Sequence, residues 1–548
     1  MAHALAGKPV QEQDIIDVQT IVDAYFDNVP DMTNPTQLVS FGTSGHRGTS
    51  VDGTFTDLHV AAITQAICDG RKQFGATGPI FVGQDTHALS QPALVTVLEV
   101  LAGNGVTAMV DCDMAFVPTP SVSRAIIRYN EEHDDKADGI IITPSHNPPD
   151  NGGIKYNTII GGPADTVVTK WIEMRANGYL TAYCESEEFK RISIDNIEPT
   201  AQVPYDYKGL YVEELGDVIN MEAIKAAGPK VLVDTLGGSG ASYWNAIKER
   251  YGLDLTIIHD DYDPTFSFMT YDHDGKVRMD CSSTYVMASV INRIGDFDLA
   301  VGNDPDYDRY GIVVSSGLIS ANTFLTLAAR YLFTTRGWKN KGVGKTVVCT
   351  TMIDKWAADA ETPVYEVPVG FKYFSQLLFD GAIGIGGEES AGASFLKKDG
   401  TVWTTDKDGM IMALLSMEIM AVMGKSALKM ADEFVEEFGN PSFGRIDAPC
   451  KKEQKQILKQ MSAELITATT VDGDLITNIR TTSLYNDMPI DGVRVETDKG
   501  WFVARPSGTE DLYKIYGESY KGDLGLVALL TAGEEIVNAA LNGTIETE

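Results

Sequence analysis

Two short stretches of this chain carry side chains whose types and spacing could do chemistry. One is Asp304-Pro305-Asp306-Tyr307-Asp308-Arg309. Carboxylates at i, i+2 and i+4 project to one side of an extended loop and make an all-oxygen site suited to a hard cation such as Mg²⁺. Without a cation their mutual repulsion would be costly. An EF-hand is excluded, because its sixth position is Arg309 in place of glycine and its twelfth is Ser315 in place of glutamate. The other stretch is Thr143-Pro144-Ser145-His146-Asn147-Pro148-Pro149, which follows the apolar run 137–142. That run reads as a buried strand, and the prolines stop it from continuing as sheet or helix, so it ends in a rigid loop that presents Ser145. A serine hydroxyl needs activation to be a nucleophile, and His146 is an awkward base because neighbouring side chains on an extended segment point to opposite sides. Ser145 also lacks the flanking glycines of a hydrolase elbow. The reading that remains is a serine that carries a group, a phosphate.

Further loops have compatible chemistry. Phe41-Gly42-Thr43-Ser44-Gly45-His46-Arg47-Gly48 has glycines that allow close backbone approach to an anion. Gly386-Gly387-Glu388-Glu389-Ser390-Ala391-Gly392 places Glu388 and Ser390 two apart, able to accept and donate hydrogen bonds to neighbouring hydroxyl groups. Arg505-Pro506-Ser507-Gly508-Thr509-Glu510 offers a guanidinium fork, two hydroxyls and a run of backbone N–H groups, which is a phosphate cradle.

Those loops have to be held by regular elements. After a polar lead-in the pattern alternates: helix 57–74, strand 80–82, helix 91–102, strand 106–110, helix 121–129, then the strand that ends at Ser145. Such alternation predicts a mostly parallel sheet flanked by helices, with Ser145 at the carboxyl end of a strand where these sheets place ligands. Residues 183–207 read as a linker into a second α/β segment, which opens with strand 230–234 and the turn Gly237-Gly238-Ser239-Gly240. Tight strand-to-helix turns need glycine, so this turn is read as structural. The metal loop lies between the apolar strands 299–301 and 311–314. A third βα segment runs from about 321 to 440, and the last stretch carries strands 501–504 and 512–516 around the cradle loop. Domain boundaries are expected at 1–205, 206–320, 321–440 and 441–548.

Bulk properties narrow the function. A chain of 548 residues is too long for one core. Its net charge of −33 disfavours nucleic acid or an anionic membrane as partner, so phosphate must be attracted by cations gathered in one cleft. The six cysteines are scattered without zinc spacing and read as reduced thiols. The most apolar stretch, 409–424, is shorter than the ~20 residues of a membrane span and reads as a buried helix. No secretory signal is legible at the start. The expectation is a cytoplasmic enzyme.

The Ser145 loop, followed by Gly152-Gly153-Ile154-Lys155-Tyr156-Asn157, resembles the phosphoserine loop of the α-D-phosphohexomutases, within which the chain is most similar to the bacterial glucose-specific members. The resemblance extends over nearly the whole chain. It implies three similar α/β domains with mixed sheets flanked by helices, plus a smaller α+β C-terminal domain, around a central cleft. It assigns Asp304, Asp306 and Asp308 to Mg²⁺, with a phosphate oxygen on Ser145 completing the sphere, and puts Arg47, His146 and Lys155 in catalytic positions without deciding which is the base. It implies substrate contacts from Thr43, Ser44, Arg309, Gly370 and Phe371 of a specificity loop, Glu388, Ser390, Lys407, and Arg505, Ser507, Gly508 and Thr509 around the non-reacting phosphate. The implied activity is reversible exchange of glucose 1-phosphate and glucose 6-phosphate through glucose 1,6-bisphosphate, by a monomer or homodimer. The alternatives are a phosphomannomutase, an aminosugar-phosphate mutase, or a silent sugar-phosphate binder on the same fold.

Overall fold

The computed structural model describes residues 2–42, 45–183, 189–425, 427–508 and 512–542. Strands β1 (Gly45–Thr49), β2 (Ile80–Gln84), β3 (Ala108–Asp111), β4 (Asp138–Ile142), β5 (Asn151–Asn157) and β6 (Gln202–Tyr205) form one sheet in the order β1-β5-β4-β2-β3-β6. The middle of this sheet, β4-β2-β3, is parallel, and β4-β5-β1 is antiparallel. Three of these strands go beyond the expected elements. β1 takes up the second half of the expected glycine loop 41–48 and pairs with β5. β5 turns back on β4, so the Ser145 loop is the tip of a hairpin. β6 lies inside the expected linker and pairs in parallel with β3 at the sheet edge, a position that tolerates Pro204 because an edge strand can spare one N–H.

The helix expected at 57–74 stops at Gly70, where Arg71 turns its guanidinium inward to a two-oxygen pairing with buried Asp138 at 2.7–3.0 Å. That helix starts with Thr56 and His59 exchanging cap hydrogen bonds.

A second sheet follows, with β7 (Val231–Asp234), β8 (Leu255–Ile258), β9 (Leu299–Asn303), β10 (Tyr310–Val314) and β11 (Gly317–Leu318) in the order β11-β10-β9-β7-β8. β8, β7 and β9 are parallel, and β9 and β10 form the antiparallel hairpin whose tip is the aspartate loop. Residues 3–10 run along 269–273 of this region like an added strand. Gly7 N donates to Tyr271 O (2.8 Å), Tyr271 N to Lys8 O (3.0 Å) and Val10 N to Met269 O (3.0 Å). The next helix, Val18–Asp27, buries Ile21 and Tyr25 in the core of the first sheet.

The chain divides into two units: residues up to 321 with 374–382 and 390–428, and residues 322–373 with 383–389 and those from 429 on. In the first unit the helix Gly409–Met423 packs on β9 and β10. Asp408 caps it by accepting from Ile411 N. In the second unit β12 (Gly342–Thr346) pairs in parallel with β13 (Val364–Val367) and β14 (Ile383–Gly387). An all-antiparallel six-stranded sheet there is built from β16 (Ser442–Pro449), β17 (Thr470–Val471), β18 (Asp474–Thr482), β19 (Pro489–Thr497), β20 (Gly500–Pro506) and β21 (Leu512–Ser519), after β15 (Ala393–Phe395) of the first unit. The 20-residue helix Gly522–Leu541 lays Leu529, Gly533 and Val537 against that sheet. The expected architecture of mixed α/β layers followed by an α+β domain is therefore observed.

Candidate active site

Ser145 is buried at the tip of the β4–β5 hairpin, in the left-handed region at φ 60°. L residues seldom adopt this conformation without support. Here Ser145 N donates to Thr143 Oγ1 at 2.7 Å, and Ser145 Oγ donates to Asp304 Oδ2 at 2.8 Å. The expectation that His146 points away from Ser145 fails. The backbone at 145 is left-handed, not extended, and brings His146 Nδ1 to 3.3 Å from Ser145 Oγ.

The aspartate loop is a turn, contrary to the extended loop expected. Tyr307 is left-handed at φ 62° and its N–H closes on Asp304 O at 2.9 Å. The three carboxylates still converge, with an oxygen of each within 4.8 Å of the others, and all three residues are buried. The Gly237–Gly240 turn supports this arrangement. Ser239 N and Oγ both donate to Pro305 O at 2.8 Å, and a Cβ on Gly240 would come within 2.3 Å of the Tyr307 ring.

Cations surround the carboxylates on one side. Lys155 on β5 reaches Asp306 Oδ2 (2.6 Å) and Asp308 Oδ2 (3.2 Å), and Lys407 reaches Asp308 Oδ2 (2.9 Å). Arg309 sits 3.4 Å from Asp280 and 3.9 Å from Asp308 Oδ1. Arg47 donates to Asn147 Oδ1 at 3.3 Å. Gly409 lets the Lys407 loop close on the aspartate loop: its N–H donates to Tyr307 O at 2.9 Å, and a Cβ would meet Arg309 O at 2.0 Å.

The electrostatics are uneven. Burial, then Asp306 and Asp308, push the Asp304 carboxyl well above the usual range. Burial works against ionisation of Asp308 too, but Lys407, Lys155 and Arg309 hold it well below. Lys155 is held charged by Asp306 and Asp308 against the burial that opposes it. Burial, then the Arg309 and Arg47 guanidinium groups, keep His146 well below the ordinary histidine range. Asp306 Oδ1 and Asp308 Oδ1 are buried with no hydrogen-bond donor among the described residues. Two donorless carboxylate oxygens beside a third acid that resists ionisation fit a divalent cation.

Three groups at this site escaped sequence reading. Thr119 Oγ1 donates to Asp306 Oδ2 at 2.8 Å and its N–H to Asp306 O at 2.9 Å. Asp406 is buried and accepts from Asn157 Nδ2 at 2.9 Å. Asp280 pairs with Arg309 beside Met279, whose N–H donates to His146 O at 3.2 Å. Among them only Asp406 adjoins a residue that the resemblance had named, Lys407.

In the second unit Glu388 is buried just after β14, and Glu389 accepts from Thr346 Oγ1 at 3.2 Å. Gly370 turns the chain at φ 133° ahead of buried Phe371. Arg505, opposite Lys514 in the β20–β21 ladder, has a buried Nε with no acceptor among the described residues, and Ser507 N closes the hairpin on Leu512 O at 2.8 Å, next to Gly508. Burial and Glu389 raise the Tyr516 phenol to about 12, against the opposing pull of Arg505 and Arg445. Ser390 belongs to the first unit. Thr43, Ser44 and Thr509 lie outside the described residues.

Four domain models described as Phosphoglucomutase/phosphomannomutase match in chain order: alpha/beta/alpha domain I over 38–181, domain II over 210–317, domain III over 320–438 and the C-terminal domain over 447–524. The chain is 46% identical over 539 residues to a phosphoglucomutase of Komagataeibacter xylinus, covering 97% of each chain. It is 27% identical to phosphoglucomutase 1 of Saccharomyces cerevisiae, covering 88% of each. Among solved structures, the open form of the Paramecium phosphoprotein parafusin has the same fold, with a TM-score of 0.72 at 19% identity over 94% of this chain and 96% of that one. An Aspergillus fumigatus N-acetylphosphoglucosamine mutase in complex with glucose 1,6-bisphosphate superposes with a TM-score of 0.51 at 15% identity, over 96% and 98%. Identity at this level along the full length, with all four domains in order, means that the chain belongs to the phosphoglucomutase/phosphomannomutase family.

Proposed function

We propose that this chain is a phosphoglucomutase that interconverts α-D-glucose 1-phosphate and glucose 6-phosphate, with Ser145 carrying the phosphoryl group and glucose 1,6-bisphosphate as the intermediate. The observation that carries the reading is Ser145 Oγ, held 2.8 Å from an acid of the aspartate cluster in a relative-matched, full-length framework. A sugar hydroxyl attacks the phosphorus of phospho-Ser145, the bond from phosphorus to Ser145 Oγ breaks, and the bisphosphate forms. The bisphosphate then turns over and returns its other phosphate to the same serine.

Asp304, Asp306 and Asp308 would hold Mg²⁺, which when bound supplies positive charge to the transferring phosphoryl group. Lys155, Lys407, Arg309 and Arg47 bring fixed cations to the same place, which offsets the acidic surface locally. His146, within 3.3 Å of Ser145 Oγ, is the group best placed to exchange a proton with it. In the second unit Glu388 would bind sugar hydroxyls in either orientation, while Arg505 and Ser507 would take the phosphate that is not reacting.

Replacement Ser145→Ala tests the reading. Turnover of glucose 1-phosphate is expected to vanish with folding intact, and peptide mass spectrometry of the native protein to find phosphate on Ser145. Full activity in the alanine protein would refute the covalent route. A coupled assay run in parallel on mannose 1-phosphate and glucosamine 1-phosphate is expected to show the glucose ester as the best substrate.

A further inference from the structure

Beneath the Ser145 loop lies a fully buried pair that the reaction scheme above leaves unused. Asp85 and His87 follow β2, and both are at most 1% exposed. Asp85 Oδ2 accepts from Thr143 Oγ1 at 2.6 Å and faces His87 Nδ1 at 2.9 Å, while Asp85 Oδ1 accepts from Ser90 Oγ at 2.6 Å and His87 N at 3.0 Å. His87 Nε2 faces the Asn147 carbonyl at 3.0 Å. One foot of the loop, Thr143, is thus tied to Asp85 and the other, Asn147, to His87. The Thr143 hydroxyl that donates to Asp85 is also the acceptor of Ser145 N–H, at 2.7 Å.

The donor count fixes the state of the ring. A carbonyl oxygen and an ionised carboxylate only accept, so both ring nitrogens of His87 have to donate. Such a ring is an imidazolium, and a neutral ring would set a lone pair against one of the two oxygens. The charged groups that face it are Asp85, on its own turn, and Asp306, from the aspartate loop, with the Phe266 ring packed at 5.1 Å. Both acids favour the charged form and outweigh the burial that opposes it, so the histidine is held above its ordinary range and Asp85 below its own.

We infer that Asp85 and His87⁺ are positioning residues for phosphoryl transfer: as a buried ion pair they clamp both feet of the loop, hold Ser145 in its left-handed conformation and so aim Oγ at the aspartate cluster. The inference rests on Ser145 being the phosphoryl carrier. Loss of the clamp lets the serine shift without removing any group that touches substrate, so it acts on kcat more than on KM.

Thr143→Val keeps the shape and removes only the relay hydroxyl. Its kcat is expected to fall about 10- to 100-fold, the scale of an error of about 1 Å in placement, with KM for glucose 1-phosphate within about twofold. Thr143→Ser is expected to restore kcat, and His87→Gln, which donates on one side only, to reproduce the loss. Wild-type kcat in Thr143→Val would overturn the inference. Neutron diffraction from the wild-type protein provides an arm that depends on neither variant folding nor activity: both ring nitrogens of His87 are expected to carry deuterium, and a ring with one deuteron would overturn the inference. Peptide mass spectrometry of wild-type protein incubated with glucose 1,6-bisphosphate separates the two readings. Failure to phosphorylate Ser145 refutes the proposed function, whereas phosphorylation of Ser145 alongside wild-type kcat in Thr143→Val refutes the clamp alone.

Discussion

Two of the clusters in which the molecule buries charge differ in construction. In the second unit Glu366 takes Arg480 on both oxygens, at 2.6 and 2.9 Å. Glu496 accepts from Arg480 (3.2 Å), Arg494 (2.6 Å) and Asn478 (3.0 Å), and Arg494 also donates to Val347 O and lies over the Trp501 ring at 4.2 Å. Two acids meet two guanidinium groups and every carboxylate oxygen has a donor. In the first unit three acids converge beside lysine cations, and two of their oxygens have no donor among the described residues. A cluster whose acceptors are saturated contributes to structure. One that leaves acceptors open keeps capacity for a ligand, at a cost in stability that the surrounding fold must offset.

Three experiments would break or sharpen that contrast. Asp306→Asn is expected to cost the most activity, on the order of 10³-fold in turnover, because charge compensation acts mainly at the transition state. Addition of Mg²⁺ is expected to raise the melting temperature of the wild-type protein, as any ligand specific for the native state does, and to raise that of Asp306→Asn far less. Equal turnover in the variant would place the site outside the chemistry.

Glu366→Ala is expected to do the reverse: it strips Arg480 of its main partner and costs about 3 kcal/mol of stability in denaturant unfolding, with turnover per folded molecule unchanged. The same network has a pH signature. Burial opposes ionisation of Glu366, but Lys345, Arg494 and Arg480 hold it below the ordinary glutamate range, and Arg494 and Arg480 do the same for Glu496. A depressed folded-state value contributes stability that is present above the unfolded value and lost as pH falls through the folded one. Acid should therefore loosen the second unit below the ordinary glutamate range, and Glu366→Ala should flatten that slope. A variant as stable as wild type would show that the network is dispensable.

The smallest effect is expected at Arg505, whose buried Nε has no acceptor among the described residues. Arg505→Ala is expected to raise KM about tenfold, the scale of one lost charged hydrogen bond, while melting stays as in wild type. Unchanged KM would move the distal anchor to another residue.

What could be read in the sequence was local. Three aspartates two apart announce themselves, and a proline-bounded serine after an apolar run does too. Their supports come from far along the chain: Lys155 meets Asp306 across 151 positions and Thr119 meets it across 187. Spacing cannot show such pairs, and the family resemblance alone led to Lys155. Asp85 and His87 drew no reading at all, because the Thr143 that gives them meaning is 58 residues on from Asp85. The left-handed backbone at Ser145 and Tyr307 was equally hidden, since neither residue type favours it and only the surrounding hydrogen bonds hold it there. β6 was missed because a four-residue strand containing Pro204 reads as a turn until the edge it completes is known.

The segment that runs along 269–273 sets a timetable for synthesis. Gln11 N donates to the Tyr271 hydroxyl across 260 positions, so the beginning of the chain has no partner until the middle has been made. At roughly 5–20 residues per second that delay is roughly 10–50 s. Helix Val18–Asp27 and the first sheet can form during the wait, with the leading residues left hanging. Docking of those residues becomes a late event that joins the first sheet to the second after both exist. Long-range closures of this kind slow folding, and a ribosome-bound intermediate that ends before residue 269 should leave residues 3–10 open to protease while the first sheet is already protected.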